Sequence, residues 1–145
     1  MAFRLVDHTA DLAIEAEGRS AEEVLQQAAL GLTAVLSGRS DAHRVGRPER
    51  ELSLVVEAPD RVALMVAFLS ELMWHYESED LLWLGGGVRL GTGRDGTARL
   101  EAAGNALRHD VARHGRGVEV KAITYHDAAF EERHGRWHLR VLLDI

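Results

Sequence analysis

Leu12, Ile14 and Ala16 alternate with Asp11, Ala13, Glu15 and Glu17, a period of two that predicts a strand with one face in water. Gly18 ends the run. Ser20 and Glu23 then stand at capping-box spacing, where each side chain can satisfy a free backbone N–H of the first helical turn. Val24, Leu25, Ala28, Leu32, Val35 and Leu36 follow at helical spacing as far as Gly38, which suits a C-terminal cap. The stretch from Arg39 to Arg50 is polar, contains Pro48, has no period and reads as a connection. "ELSLVVEA", beginning at Glu51, predicts a second strand. Pro59 and Asp60 open a second helix with Asp60 as N-cap, and Val62, Met65, Val66, Leu69, Leu72, Met73 and Tyr76 give it an apolar face wide enough to need a sheet beneath it.

Leu81 to Leu90 and Thr97 to Ala102 read as a hairpin around Asp95-Gly96. Gly85, Gly86 and Gly87 interrupt the first run and read as plain turn geometry, because they lack the spacing and the Lys-Ser/Thr of a phosphate loop. The chain closes with two extended runs, Val118 to His126 and Trp137 to Ile145. In the last, Trp137, Leu139, Val141, Leu143 and Ile145 share one face, and His138, Arg140, Leu142 and Asp144 the other. The order strand, helix, strand, strand therefore occurs twice. The expected architecture is α+β, with one such module inserted into the other and mixed or antiparallel sheets packed on two helices. It forms one domain over residues 1–145, with an outer module at about 1–40 and 104–145 and an inserted module at about 51–103.

With 145 residues, 46% of them hydrophobic, the chain can bury a core of its own. It has no cysteine, which removes disulfides, thiolate metal sites and a cysteine nucleophile, and fits a reducing cytoplasm. The N-terminal residues lack the pattern of a signal peptide, and no apolar run approaches the roughly 20 residues of a membrane span. A net charge of −6 gives no overall attraction for a polyanion, so any nucleic-acid contact needs a local patch. Of 17 basic residues only Lys121 is a lysine, a compact ammonium that the guanidinium cannot imitate. "RHDVARHGRG", from Arg108, reads as a solvated loop, Tyr125 and Trp137 as packing aromatics, and the histidines other than His8 and His126 as surface residues.

The chemistry gathers at the ends. If the first and last predicted strands are antiparallel neighbours, Asp11 at the start of one meets Asp144 at the end of the other. Two uncompensated carboxylates at one spot mark a shared proton or a bound cation. The terminal carboxylate of Ile145 adds a third hard oxygen donor, and such a set favours Mg²⁺, Ca²⁺ or Mn²⁺ over zinc.

"DHTADLAIEAEG" near the start, "VKAITYH" at residues 120–126 and "VLLDI" at the end together resemble the archease family, small activator proteins of the RNA-splicing ligase RtcB. The similarity runs over the whole length. It implies the nested α+β fold and a divalent-metal site at the terminal motifs. It also implies a non-enzymatic role: assisting metal-dependent transfer of GMP from GTP onto the ligase, and restoring the ligase for multiple turnover in tRNA splicing and RNA repair. Asp11, Asp144 and Ile145 match the family's metal-binding positions, and Lys121 matches its functional lysine, which would contact phosphate or the partner. His8 and His126 also match and would orient a carboxylate. Asn105 stands where relatives commonly carry an acid, in what reads as a loop over 104–117. The same carboxylates with His8 as acid or base would suit a small metal-dependent phosphohydrolase, although no nucleophile with its base is evident. A general chaperone or RNA-binding module is the third reading.

Overall fold

The structure is a computed structural model and describes residues 2–7, 11–40 and 45–145. Its elements are β1 (Ala2–Asp7), β2 (Asp11–Gly18), α1 (Ala21–Ser37), β3 (Arg50–Ala58), α2 (Arg61–Glu79), β4 (Leu81–Thr92), a 3₁₀ turn (Arg94–Gly96), β5 (Ala98–Arg108), α3 (Val111–His114), β6 (Ala122–Arg133) and β7 (Arg136–Asp144). They form a four-stranded sheet in the order β1-β2-β7-β6 and a three-stranded sheet in the order β3-β5-β4, antiparallel throughout. The α+β fold expected from the pattern is the one observed. The three-stranded sheet is drawn wholly from residues between Arg50 and Arg108, while the four-stranded sheet takes strands from both sides of that stretch.

Both helices touch both sheets. α1 packs on β1, β2 and β7 of one sheet and β4 of the other, and α2 on β6 of one and β3, β4 and β5 of the other. α1 is buried nearly all round, which its small Ala28, Ala29, Gly31 and Ala34 allow. The Ser20 hydroxyl accepts from the Glu23 N–H at 3.1 Å, and the Glu23 carboxylate reaches back to the Arg19 N–H at 2.7 Å. Gly38 closes the helix in the left-handed region at φ 72°, its N–H bonding to the Ala34 carbonyl. Asp60 caps α2 by accepting from the Ala63 N–H at 2.9 Å. Phe68, Ile14, Leu25, Leu32 and Leu69 are among the largest side chains sealed in the core between these layers. At its margin the Phe130 and Trp137 rings lie 5.5 Å apart, and the Arg61 guanidinium sits 5.2 Å from the Trp137 ring.

Several expectations are corrected. β1 is a strand the pattern does not announce, since Phe3, Leu5 and Val6 beside Arg4 give six residues with no clear apolar face. Gly85 to Gly87 are not a turn. They continue β4 through a bulge after Trp83, where the two strands come so close that a Cβ on Gly86 would lie 2.3 Å from the Gly104 Cα. β5 runs on to Arg108, so Gly104 and Asn105 belong to a strand, with Asn105 opposite Glu51 and Gly85. The segment after it is not simply solvated. His114 is only 4% exposed, and its Nδ1 accepts from the Asp110 N–H at 2.9 Å. His109 Nε2 donates to the Gly115 carbonyl at 2.6 Å, which leaves its Nδ1 to accept from the Tyr76 hydroxyl at 3.3 Å. Burial pushes the Tyr76 phenol above its ordinary value, an effect the Arg116 charge opposes and Asp80 reinforces.

The last expected strand pair is a hairpin, β6–β7, turning at His134 and Gly135 with φ 53° and 78°. Its register jumps from Thr124 opposite Leu142 to Ala129 opposite Arg140, so three extra residues loop out of β6. Tyr125 rides on this bulge and is 61% exposed, contrary to the packing role expected of it.

Candidate metal site at the open end of the four-stranded sheet

β2 begins at Asp11 and β7 ends at Asp144, and the two residues are register partners across the antiparallel pair. Residues directly opposite in such a ladder have Cα atoms about 4.5–5.5 Å apart and side chains on one face. The two acids therefore share a spot, and both are half-buried. On the other flank of Asp144 stands Ala122, the first residue of β6, and the N–H of Lys121 donates to the Asp144 carbonyl at 2.7 Å. That bond fixes where the Lys121 stem leaves the backbone. Among the described residues, neither the Asp11 nor the Asp144 carboxylate has a hydrogen bond or ion pair, and the exposed Lys121 ammonium has none either.

The contrast with Glu15, two rows along the same face, sharpens this. Glu15 receives the Arg140 guanidinium at 2.6 Å and that of Arg4 at 3.2 Å. Among the described residues, opposite charge on this face is thus supplied to Glu15 and not to Asp11 or Asp144. Between the two rows lie Ala13, Leu142 and Thr124, partners across three strands. Ala13 and Leu142 are buried, and the Thr124 hydroxyl is buried with no hydrogen-bond partner. A buried hydroxyl in that condition carries a desolvation cost that a bound water or ion would relieve.

Ile145 packs partly against the core next to Asp144. His126 is on the β6 bulge, 75% exposed on its side chain, with its Nε2 3.4 Å from Asp127, which holds φ 53°. No bond joins it to Asp11 or Asp144 among the described residues. His8 lies outside the described residues. Sequence reasoning passed over Thr124, whose only signal is its place two residues before His126 in "VKAITYH".

Among the described residues no group of three or more His, Cys, Asp and Glu side chains gathers at one point. The acid pair offers hard oxygen donors, few enough to leave part of a six- to eight-fold shell for water or for a partner's groups. Such a set fits Mg²⁺, Ca²⁺ or Mn²⁺ and not a structural zinc, which takes nitrogen and sulfur. No helix among the described residues is long and apolar enough to cross a membrane.

The chain is 31% identical to the protein archease of Methanosarcina mazei over 144 residues, 99% of this chain and 95% of the relative. It is 34% identical to that of Thermococcus gammatolerans over 141 residues, 96% and 95% of the two chains. The solution structure of Methanobacterium thermoautotrophicum protein 1598 superposes with a TM-score of 0.75 at 28% identity, covering 99% of this chain and 98% of that one. The sequence pattern of the Archease protein family (MTH1598/TM1083) matches residues 3–145, and the chain belongs to that family.

Proposed function

We propose that this protein is a non-enzymatic activator of an RtcB-type RNA-splicing ligase in the cytoplasm, promoting metal- and GTP-dependent guanylation of the ligase and its multiple turnover in tRNA splicing and RNA repair. Family membership supports the reading, and one observation carries it: the juxtaposition of Asp11 and Asp144 at the ends of β2 and β7, with no ion pair on either carboxylate among the described residues. Asp11 and Asp144, with Ile145 beside them, hold a divalent cation, with the rest of its shell left to water or to the ligase. When bound, the ion neutralises charge on the transferring phosphoryl group. Lys121, set beside Asp144 by its backbone bond and otherwise unpaired, contacts phosphate or a ligase carboxylate. His126 stands on the exposed bulge of the same strand, where it can meet the partner.

The test is ligase guanylation and RNA joining under multiple turnover, with and without the protein, using Asp11→Ala beside the parent. The variant should lose stimulation while melting at the parent temperature. Stimulation that survives Asp11→Ala overturns the metal role. Phosphate release from GTP and Mn²⁺ by the protein alone would instead make it a phosphohydrolase.

A further inference from the structure

We infer that the Thr124 hydroxyl belongs to the proposed ion site and holds a water of the ion's shell against the Asp11–Asp144 pair. The inference rests on the metal reading above and adds a residue to which the motif match assigns no role. Thr124 and Ala122 are two apart on β6 and so face the same way, and Ala122 is the register partner of Asp144. Thr124 is therefore the diagonal neighbour of Asp144, a separation of about 7–8 Å between Cα atoms that two short side chains close to the span of one water. Its register is still regular, because the bulge starts only after it.

The hydroxyl's condition supports the assignment. Leu142, Ala13 and Val6 complete its row and offer it no hydrogen-bonding side chain, and its oxygen is buried without a partner. Elsewhere in the fold a buried hydroxyl finds a carbonyl: Thr33 donates to Trp83 at 2.6 Å and Ser37 to Thr33 at 2.8 Å. Were Thr124 there only to pack, valine would fill the space without stranding an oxygen. A water bound to a divalent ion is a strong donor, and Thr124 Oγ1 has its lone pairs free to accept from it. Groups that hold an ion's ligands in this way change affinity by about 10- to 100-fold when removed. Thr124 is thus a positioning residue.

The experiment titrates Mn²⁺ into the parent protein, Asp11→Asn, Thr124→Val, Thr124→Ala and Thr124→Ser, following water-proton relaxation for binding and circular dichroism for melting. Expected are loss of tight binding in Asp11→Asn, about tenfold weaker binding in Thr124→Val and Thr124→Ala, and near-parental binding in Thr124→Ser. Thr124→Val should melt no lower than the parent, since it relieves a stranded hydroxyl; a purely structural role for the oxygen would lower melting and leave binding alone. If Asp11→Asn abolishes binding but Val and Ala bind like the parent, the Thr124 assignment falls and the metal reading stands. If the parent binds no Mn²⁺, or Asp11→Asn binds as the parent does, both fall. Should Thr124→Val fail to fold, Thr124→Ala decides.

Discussion

Replacing Gly104 by alanine tests the account of the glycine run most severely. A Cβ there would lie 2.3 Å from the Gly85 carbonyl oxygen and 2.6 Å from the Trp83 ring. Ordinary contact begins near 3.4 Å, so β4 and β5 would have to part by roughly 1 Å in the middle of the three-stranded sheet, where Trp83 is buried. Neither obstacle is the free end of a flexible chain. The cost belongs at the upper end of overpacking, about 3 kcal/mol. For a domain of this length each kcal/mol moves the melting temperature by about 4 °C, which gives a drop of about 12 °C. The control is Gly87→Ala, two residues further along β4 than Gly85, where an added Cβ meets nothing within 4 Å. It should melt at or slightly above the parent temperature, because alanine narrows the unfolded ensemble. Thermal unfolding by circular dichroism, repeated with urea, reads both. A Gly104→Ala protein within about 2 °C of the parent, or a Gly87→Ala protein that falls as far, would refute the close-approach explanation.

Two further outcomes follow from the caps and the buried phenol. Ser20→Ala removes the acceptor for the Glu23 N–H and should cost about 1 kcal/mol, roughly 4 °C in melting. Tyr76 is held above its ordinary value of 10.0 chiefly by burial, so the folded state keeps a proton there that the unfolded chain gives up first. Its contribution is fully present below pH 10 and is lost as pH rises through the higher folded value; urea unfolding at pH 9 and pH 11 should show the fall, and Tyr76→Phe should flatten it, an equal fall in the variant counting against the assignment.

Long periodic runs were readable from the residues: α1 with its Ser20 and Gly38 ends, α2 behind Asp60, and the β2–β7 antiparallel pair that brings Asp11 to Asp144. What escaped depends on neighbours that no local pattern encodes. β1 acquires a face only by lying against β2, with Arg4 reaching Glu15. Gly85 to Gly87 read as a turn because glycine signals freedom, whereas here it serves proximity between strands about twenty residues apart. Tyr125 looks like a packing residue in an alternating run until the register jump after Thr124 lifts it from the sheet. His114, between Arg113 and Gly115, is buried with its ring satisfied by a backbone N–H of its own turn. The acid pair was legible as a possibility of topology; that no described cation reaches either carboxylate, while two reach Glu15, needed coordinates.

The strands that meet at Asp11 and Asp144 come from opposite ends of the chain, while the three-stranded sheet between them is built from one contiguous stretch. Contacts of such long sequence separation form late, after nearer ones have repaid their loop-closure entropy. On the ribosome, Arg50 to Arg108 can zip while β7 is still unmade. An intermediate with only that sheet closed has not yet brought Asp11 to Asp144, so an ion held by that pair, as proposed, would draw the final folding step forward, and its removal would loosen the outer sheet before the inner one.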